Sequence, residues 1–140
     1  MNRLPGIINP PALKGLVVKR VLMVEDQPDI RKLIRMTLEF ESWEVHEAMD
    51  APSGVEAARQ WVPDVVLMDV MMPGEFDGLE ACRRIKADPG LKSTKVVVVS
   101  AKGLATDVEA GKAAGADEYL FKPFSPLHLV DTIERLTGGA

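Results

Sequence analysis

From Arg20 onward the chain alternates between two hydrophobic rhythms. Three runs, RVLMVE (20–25), DVVLMD (64–69) and KVVVVS (95–100), have unbroken apolar interiors of strand length. A strand buried on one face alternates apolar and polar residues, whereas one covered on both faces reads as continuous. These three therefore predict strands of a parallel sheet sandwiched between helices. The shorter WEVHE (43–47) and EYLF (118–121) bring the strands to five. Between them, Ile30, Leu33, Ile34 and Leu38 fall at helical offsets and predict one buried face, which Leu129, Val130, Ile133 and Leu136 repeat near the end. Leu79, Cys82 and Ile85 mark a third such face. The Ala/Gly-rich segment 104–115 predicts a fourth helix with few anchoring side chains. Segment 52–61 is assigned as helix mainly because parallel neighbours need a crossover there. The order is βα five times, with right-handed crossovers.

This order fixes where a ligand can sit, because open α/β sheets bind in the crevice beyond the carboxyl ends of their strands. Those ends hold Glu25 and Asp26 after the first strand, Asp69 closing the third, Ser100 closing the fourth and Lys122 just past the fifth.

Composition narrows the possibilities. The chain's 140 residues suffice for one domain with a real core, and 46% hydrophobic with 27% charged residues is a globular balance. A net charge of −4 supplies no basic field for a phosphate backbone, so direct nucleic-acid binding is not expected. Cys82, the lone cysteine, cannot form an internal disulfide; it reads as a small apolar residue on a helix face, in keeping with a reducing cytoplasm. The first 19 residues contain apolar positions, but Pro5, Pro10, Pro11 and Lys14 interrupt them, so neither a signal sequence nor a spanning helix is predicted and no membrane role is expected. The expected organisation is an N-terminal arm, 1–19, and a domain, 20–138.

Taken singly, the strand-end residues have dull explanations. Asp26 could cap the following helix, Ser100 could merely end a strand, and Lys122 could be a solvated charge. Together they do not, because three clustered acids raise one another's pKa unless a cation holds them. Oxygen ligands of this kind suit Mg²⁺, or Mn²⁺, which binds through one or two carboxylates plus a phosphate. With the metal and Lys122 supplying positive charge, Asp69 can act as an ionised nucleophile toward a phosphoryl group while Ser100 donates to a phosphoryl oxygen. The product is an acyl phosphate on Asp69.

The pieces LMVEDQPDIRKLI, VVLMDVMMPGEFDGLEACRRIK, VVVVSAKG and AGADEYLFKPF, in that order, resemble the receiver domain of two-component response regulators. The resemblance runs from about Arg20 to Leu136. It implies a flavodoxin-like (βα)5 fold with strand order 2-1-3-4-5. It makes Asp69 the phosphoacceptor, and gives the metal to Glu25, Asp26, Asp69 and the Met71 backbone carbonyl. Ser100 becomes the switch hydroxyl, Tyr119 the switch aromatic and Lys122 the phosphate-contacting lysine, behind a cis Lys122–Pro123 bond. The implied donor is a histidine kinase, and the implied readers are a target protein or a histidine phosphotransfer protein at the 104–136 surface, with phosphorylation-dependent homodimerisation left open. No enzymatic activity beyond self-catalysed phosphoryl transfer and dephosphorylation is expected.

Two features depart from the family pattern. PGEFDG carries one residue more than the usual Pro-Gly-x-Asp-Gly beside Asp69. Met71 and Lys102, which by position flank the phosphoryl group, offer no side chain suited to orienting a water, so slow loss of the phosphoryl group is expected. No effector domain follows Thr137, and the expectation is a stand-alone module whose output is a partner. Arg31, Lys32 and Arg35, with Pro123, are candidates to face the phosphohistidine donor. His46 and His128 fall away from the cluster. Two rival readings remain: a phosphorylation-independent binding module, and an aspartyl-phosphate phosphohydrolase, which would want an acid two residues after its nucleophile where this chain has Met71.

Overall fold

The computed structural model describes residues 18–101 and 105–138. Among them five strands, β1 (Arg20–Val24), β2 (Glu44–Ala48), β3 (Val65–Asp69), β4 (Lys95–Ser100) and β5 (Glu118–Phe121), alternate with five helices. The helices are α1 (Pro28–Phe40), α2 (Ala51–Trp61), α3 (Gly78–Ala87), α4 (Ala105–Ala113) and α5 (Pro126–Leu136), and a short 3-10 turn, Pro89–Leu91, precedes β4. All strand pairs are parallel and the sheet order is β2-β1-β3-β4-β5. This is the flavodoxin-like (βα)5 architecture that the resemblance implies.

The continuous apolar runs are explained by burial on two faces. Leu22, Val24, Val66, Met68, Val96 and Val98 point into one core with Val55 and Ala58 of α2 and Cys82 and Ile85 of α3. Their neighbours Val21, Met23, Val65, Leu67, Val97 and Val99 point into the other, with Ile34 and Leu38 of α1 and Leu129 and Ile133 of α5. Successive residues therefore face opposite layers, and beyond their first residues, Arg20 and Lys95, β1 and β4 leave no position for solvent.

Local signals set the helix ends. Asp50 caps α2 by accepting from the Ser53 N–H at 2.8 Å, and Asp77 caps α3 by accepting from the Glu80 N–H at 3.0 Å. The Ser125 hydroxyl caps α5 by accepting from the His128 N–H at 3.0 Å. The N-cap of α1 is Gln27, which makes no side-chain cap bond, so Asp26 is not the cap that a lone reading of it allows.

Two expectations are corrected. Strand β2 lies one residue later than 43–47. Leu33 is exposed, because α5 covers only part of the apolar stripe of α1 and the rest opens into a groove. Helix α4 is as poorly anchored as expected: only Gly111 is buried. The lone thiol fits its plain reading: Cys82 is fully buried, donates to the Ala114 carbonyl at 3.5 Å, and is pushed up to about 11 by burial. Among the described residues no helix is long and apolar enough to cross a membrane.

Candidate functional site

The parallel register brings the strand ends to one rim. Val24 pairs with Met68, so the next residues, Glu25 and Asp69, stand side by side. Asp69 pairs in turn with Val99, and Ser100 with Phe121. The Lys122 N–H then donates to the Ser100 carbonyl at 2.7 Å, which continues the ladder past the fifth strand. The Lys122–Pro123 bond is cis, as expected.

At that rim the carboxylates of Glu25, Asp26 and Asp69 each offer an oxygen within 4.8 Å of the others. Glu25 and Asp69 are both only 2% exposed. Lys122 is the counter-charge: its ammonium lies 3.0 Å from Glu25 Oε1 and 3.6 Å from Asp69 Oδ1, and it also donates to the Gln27 side-chain oxygen at 3.3 Å. Backbone donors share the load. The Gln27 N–H donates to Glu25 Oε2 at 3.2 Å and the Met71 N–H to Asp69 Oδ1 at 3.3 Å.

One ammonium does not balance this much buried negative charge. Burial, and then repulsion from Glu25, push the Asp69 carboxyl up to about 6, against the pull of Lys122 and the Met71 N–H. A buried acid held this far above its ordinary range, beside two more acids, marks a place built for added positive charge. Hard oxygen donors at this spacing suit Mg²⁺ or Mn²⁺, so the residues present fit the metal that the sequence implies.

Ser100 is buried at the same rim, and Tyr119 is half-buried on β5 with its ring against Gly111 of α4. Met71 is exposed and Lys102 lies outside the described residues, as do positions 1–17 of the arm. The longer loop after β3 is closed by packing. Phe76 sits against the α2/α3 core with the Arg84 guanidinium 3.9 Å from its ring centroid, and Gly74 adopts φ 133°.

Two residues beside the site, Gln27 and Gly78, escaped the sequence reading, and Arg31 sits elsewhere than expected. Gln27 shares Lys122 with the acids. Arg31, expected on the outer surface, instead donates to the Glu25 carbonyl at 2.9 Å and pairs with Glu47 at 3.4 Å. Arg35 also pairs with Glu47, leaving Lys32 as the exposed cation of that trio. Gly78 lies against the end of β3, where a Cβ would meet the Asp69 carbonyl oxygen at 2.0 Å. Of these only Gly78 carried a signal, as the last residue of PGEFDG. His46 stacks on Trp61 with centroids 3.6 Å apart and His128 is exposed on α5, both off the cluster.

Comparison with known proteins agrees with this geometry. The family profile described as the response regulator receiver domain matches residues 21–134. The transcriptional regulatory protein ResD of Bacillus subtilis (strain 168) is 37% identical over 121 residues, 86% of this chain and 49% of that protein. The probable transcriptional regulatory protein TcrX of Mycobacterium tuberculosis is 40% identical over 106 residues, 75% of this chain and 44% of that protein. The chain thus spans about half the length of these curated relatives. Among solved structures, the chemotaxis protein CheY4 of Vibrio cholerae superposes with a TM-score of 0.80 at 30% identity, over 86% of this chain and 99% of that one. The receiver domain of the sensor histidine kinase PA1611 of Pseudomonas aeruginosa PAO1, solved with magnesium coordinated in its active-site cleft, gives 0.80 at 29% identity over 88% and 100%.

Proposed function

This chain belongs to the response regulator receiver domain family, and from that premise we propose that it is a phosphorylation switch in two-component signalling. Asp69 takes a phosphoryl group from the phosphohistidine of a histidine kinase, and the 104–136 surface passes the change to a target protein or a histidine phosphotransfer protein. The observation that carries this reading is the rim itself: three carboxylates within 4.8 Å of one another, faced by the Lys122 ammonium.

In the transfer, an Asp69 carboxylate oxygen attacks phosphorus and the phosphorus–nitrogen bond breaks. The imidazole keeps the bonding pair and becomes neutral on leaving, and an acyl phosphate remains. Glu25, Asp26, Asp69 and the Met71 carbonyl would hold Mg²⁺ or Mn²⁺, which would supply charge neutralisation for the phosphoryl oxygens. Lys122 adds a second positive charge from just past β5 on the same rim, and burial of Glu25 and Asp69 keeps these interactions strong by excluding water. Ser100, one strand over, donates its hydroxyl to a phosphoryl oxygen.

The new group brings roughly 1.5 to 2 negative charges. Recruiting Ser100 opens space beside β5, into which the Tyr119 ring turns, and a population shifts between two arrangements of α4, β5 and α5. Helix α4 yields most easily because it buries only Gly111. The buried, reduced Cys82 suits action in the cytoplasm. The phosphorylated state decays slowly, because Met71 brings no water-orienting group.

The test is intact mass after incubation with acetyl phosphate and Mg²⁺. A metal-dependent gain of one phosphoryl group in the wild type, lost in Asp69→Asn, is the expected result. No gain from acetyl phosphate or from phosphorylated histidine kinases would overturn the reading.

A further inference from the structure

We propose that the groove between α1 and α5 is the docking site of this chain's own N-terminal segment, residues 1–17. The groove is a hollow of about 400 Å³ lined by Leu33, Met36, Phe40 and Glu41 of the α1 side and Leu127 and Val130 of α5. Leu33 is 42%, Met36 61%, Phe40 86% and Leu127 79% exposed, so four large apolar side chains share one solvent-facing patch. A contiguous patch of this kind marks an interaction surface.

Three observations choose the occupant. The first is where the segment leaves the domain. The Lys19 carbonyl accepts from the Glu44 N–H at 2.9 Å, and the Lys19 ammonium lies 5.7 Å from the Trp43 ring centroid. Glu41 on the groove lies only three residues before Glu44, so the segment enters the domain beside the groove. Seventeen residues can span up to about 55 Å, far more than the length of either helix. The second is composition. The segment carries Leu4, Ile7, Ile8, Leu13 and Leu16, matching the apolar lining. The third is charge. It holds Arg3 and Lys14 and no acid, while the rest of the chain has 15 basic and 21 acidic residues and the groove rim carries Glu41.

Tethering decides between this occupant and a free one. A covalently attached segment is present at an effective concentration on the order of millimolar, so even weak apolar docking fills the groove without a second molecule.

The experiment uses the full chain, uniformly ¹⁵N-labelled, with a nitroxide on Ile8→Cys; the native thiol of Cys82 is fully buried and does not react. The expected result is selective loss of the amide signals of Leu33, Met36, Phe40 and Leu127, unchanged on dilution. The double substitution Met36→Ser with Phe40→Ser, at exposed positions that leave the fold intact, restores the Leu33 and Leu127 signals. Loss at another surface, no selective loss, or persistence of the loss in the double variant would each overturn the proposal. So would equal loss when nitroxide-bearing unlabelled chain is mixed with ¹⁵N wild type, since that outcome assigns the groove to a second copy.

Discussion

Tyr119 lays its ring against Gly111 so closely that a Cβ built on the glycine would stand 2.4 Å from Cε1 and 3.0 Å from Cδ1 of the tyrosine. The ring can occupy this place only because α4 presents bare backbone to it. Since Gly111 is the buried residue of α4, the position of the helix and the orientation of the ring are set together. A movement of either obliges the other to adjust.

Gly111→Ala separates helix preference from ring packing. Alanine favours the helix by about 1 kcal/mol over glycine, while the added methyl cannot coexist with the ring in its present place. The expected outcome is a global stability within about 1 kcal/mol of wild type, together with a displaced ring. Tyr119 is the chain's one tyrosine, so its ring NMR signals are unambiguous. In the unphosphorylated variant they should move toward the positions that beryllofluoride and Mg²⁺ induce in the wild type. Signals that stay where they are would show that α4, not the ring, gives way.

Lys122→Ala removes the one ammonium within 4 Å of both Glu25 and Asp69 among the described residues. Glu25 and Asp69 then repel each other without relief, and the developing phosphoryl charge loses a donor. Removal of a pre-placed donor of this kind slows a reaction on the order of 10²-fold. The initial rate of acetyl phosphate-driven mass gain should fall by about that factor at saturating Mg²⁺. A rate within twofold of wild type would place Lys122 outside the reaction.

The strands and the rim were legible because each has a local signature. Valine runs at 65–66 and 96–99 announce two-sided burial, and Glu25, Asp69 and Lys122 interrupt or follow apolar runs where solvation alone gives no reason for charge. The misses were pairings across the chain. Leu33 shares the period of Ile34 and Leu38, but the period fixes only the direction of a face and not how much of it α5 covers. Arg31 and Arg35 looked like outer-surface cations because nothing near them in sequence foretells Glu47 on β2. The contact of Gly78 with Asp69, nine positions apart, likewise appears only once the loop between them has closed.

That contact makes Gly78 a sensitive position. A methyl there would lie 2.0 Å from the Asp69 carbonyl oxygen and 2.8 Å from its carbon, and neither atom is the end of a flexible side chain. Gly78→Ala must push the start of α3 away from β3 or bend the strand end that carries Asp69. A loss of about 2 kcal/mol or more is expected from the urea midpoint, with slower phosphorylation of the molecules that remain folded. Unchanged stability and rate would show that the loop of 70–77 absorbs the shift.

The raised pKa of Asp69 gives a pH signature with a definite sign. In the fold its carboxyl is pushed to about 6 by burial and by Glu25, above the ordinary value near 3.8 that it regains on unfolding. The folded state therefore holds this proton more tightly. Without metal, its ionisation costs nothing below about pH 4, and the cost grows as pH rises through 6. At pH 7 that cost is on the order of 1 to 3 kcal/mol. Asp69→Asn removes it, so in EDTA the variant should be more stable than wild type at pH 7 by that order, and the gap should close toward pH 4. Added Mg²⁺ should raise the wild-type melting temperature more than the variant's. Thermal melts of both proteins at the two pH values, with EDTA or Mg²⁺, measure all of this, and titrating groups remote from the rim cancel in the difference. A gap that does not change with pH would mean that Asp69 is already compensated without metal, and buried charge would then give no reason for a cation at the rim.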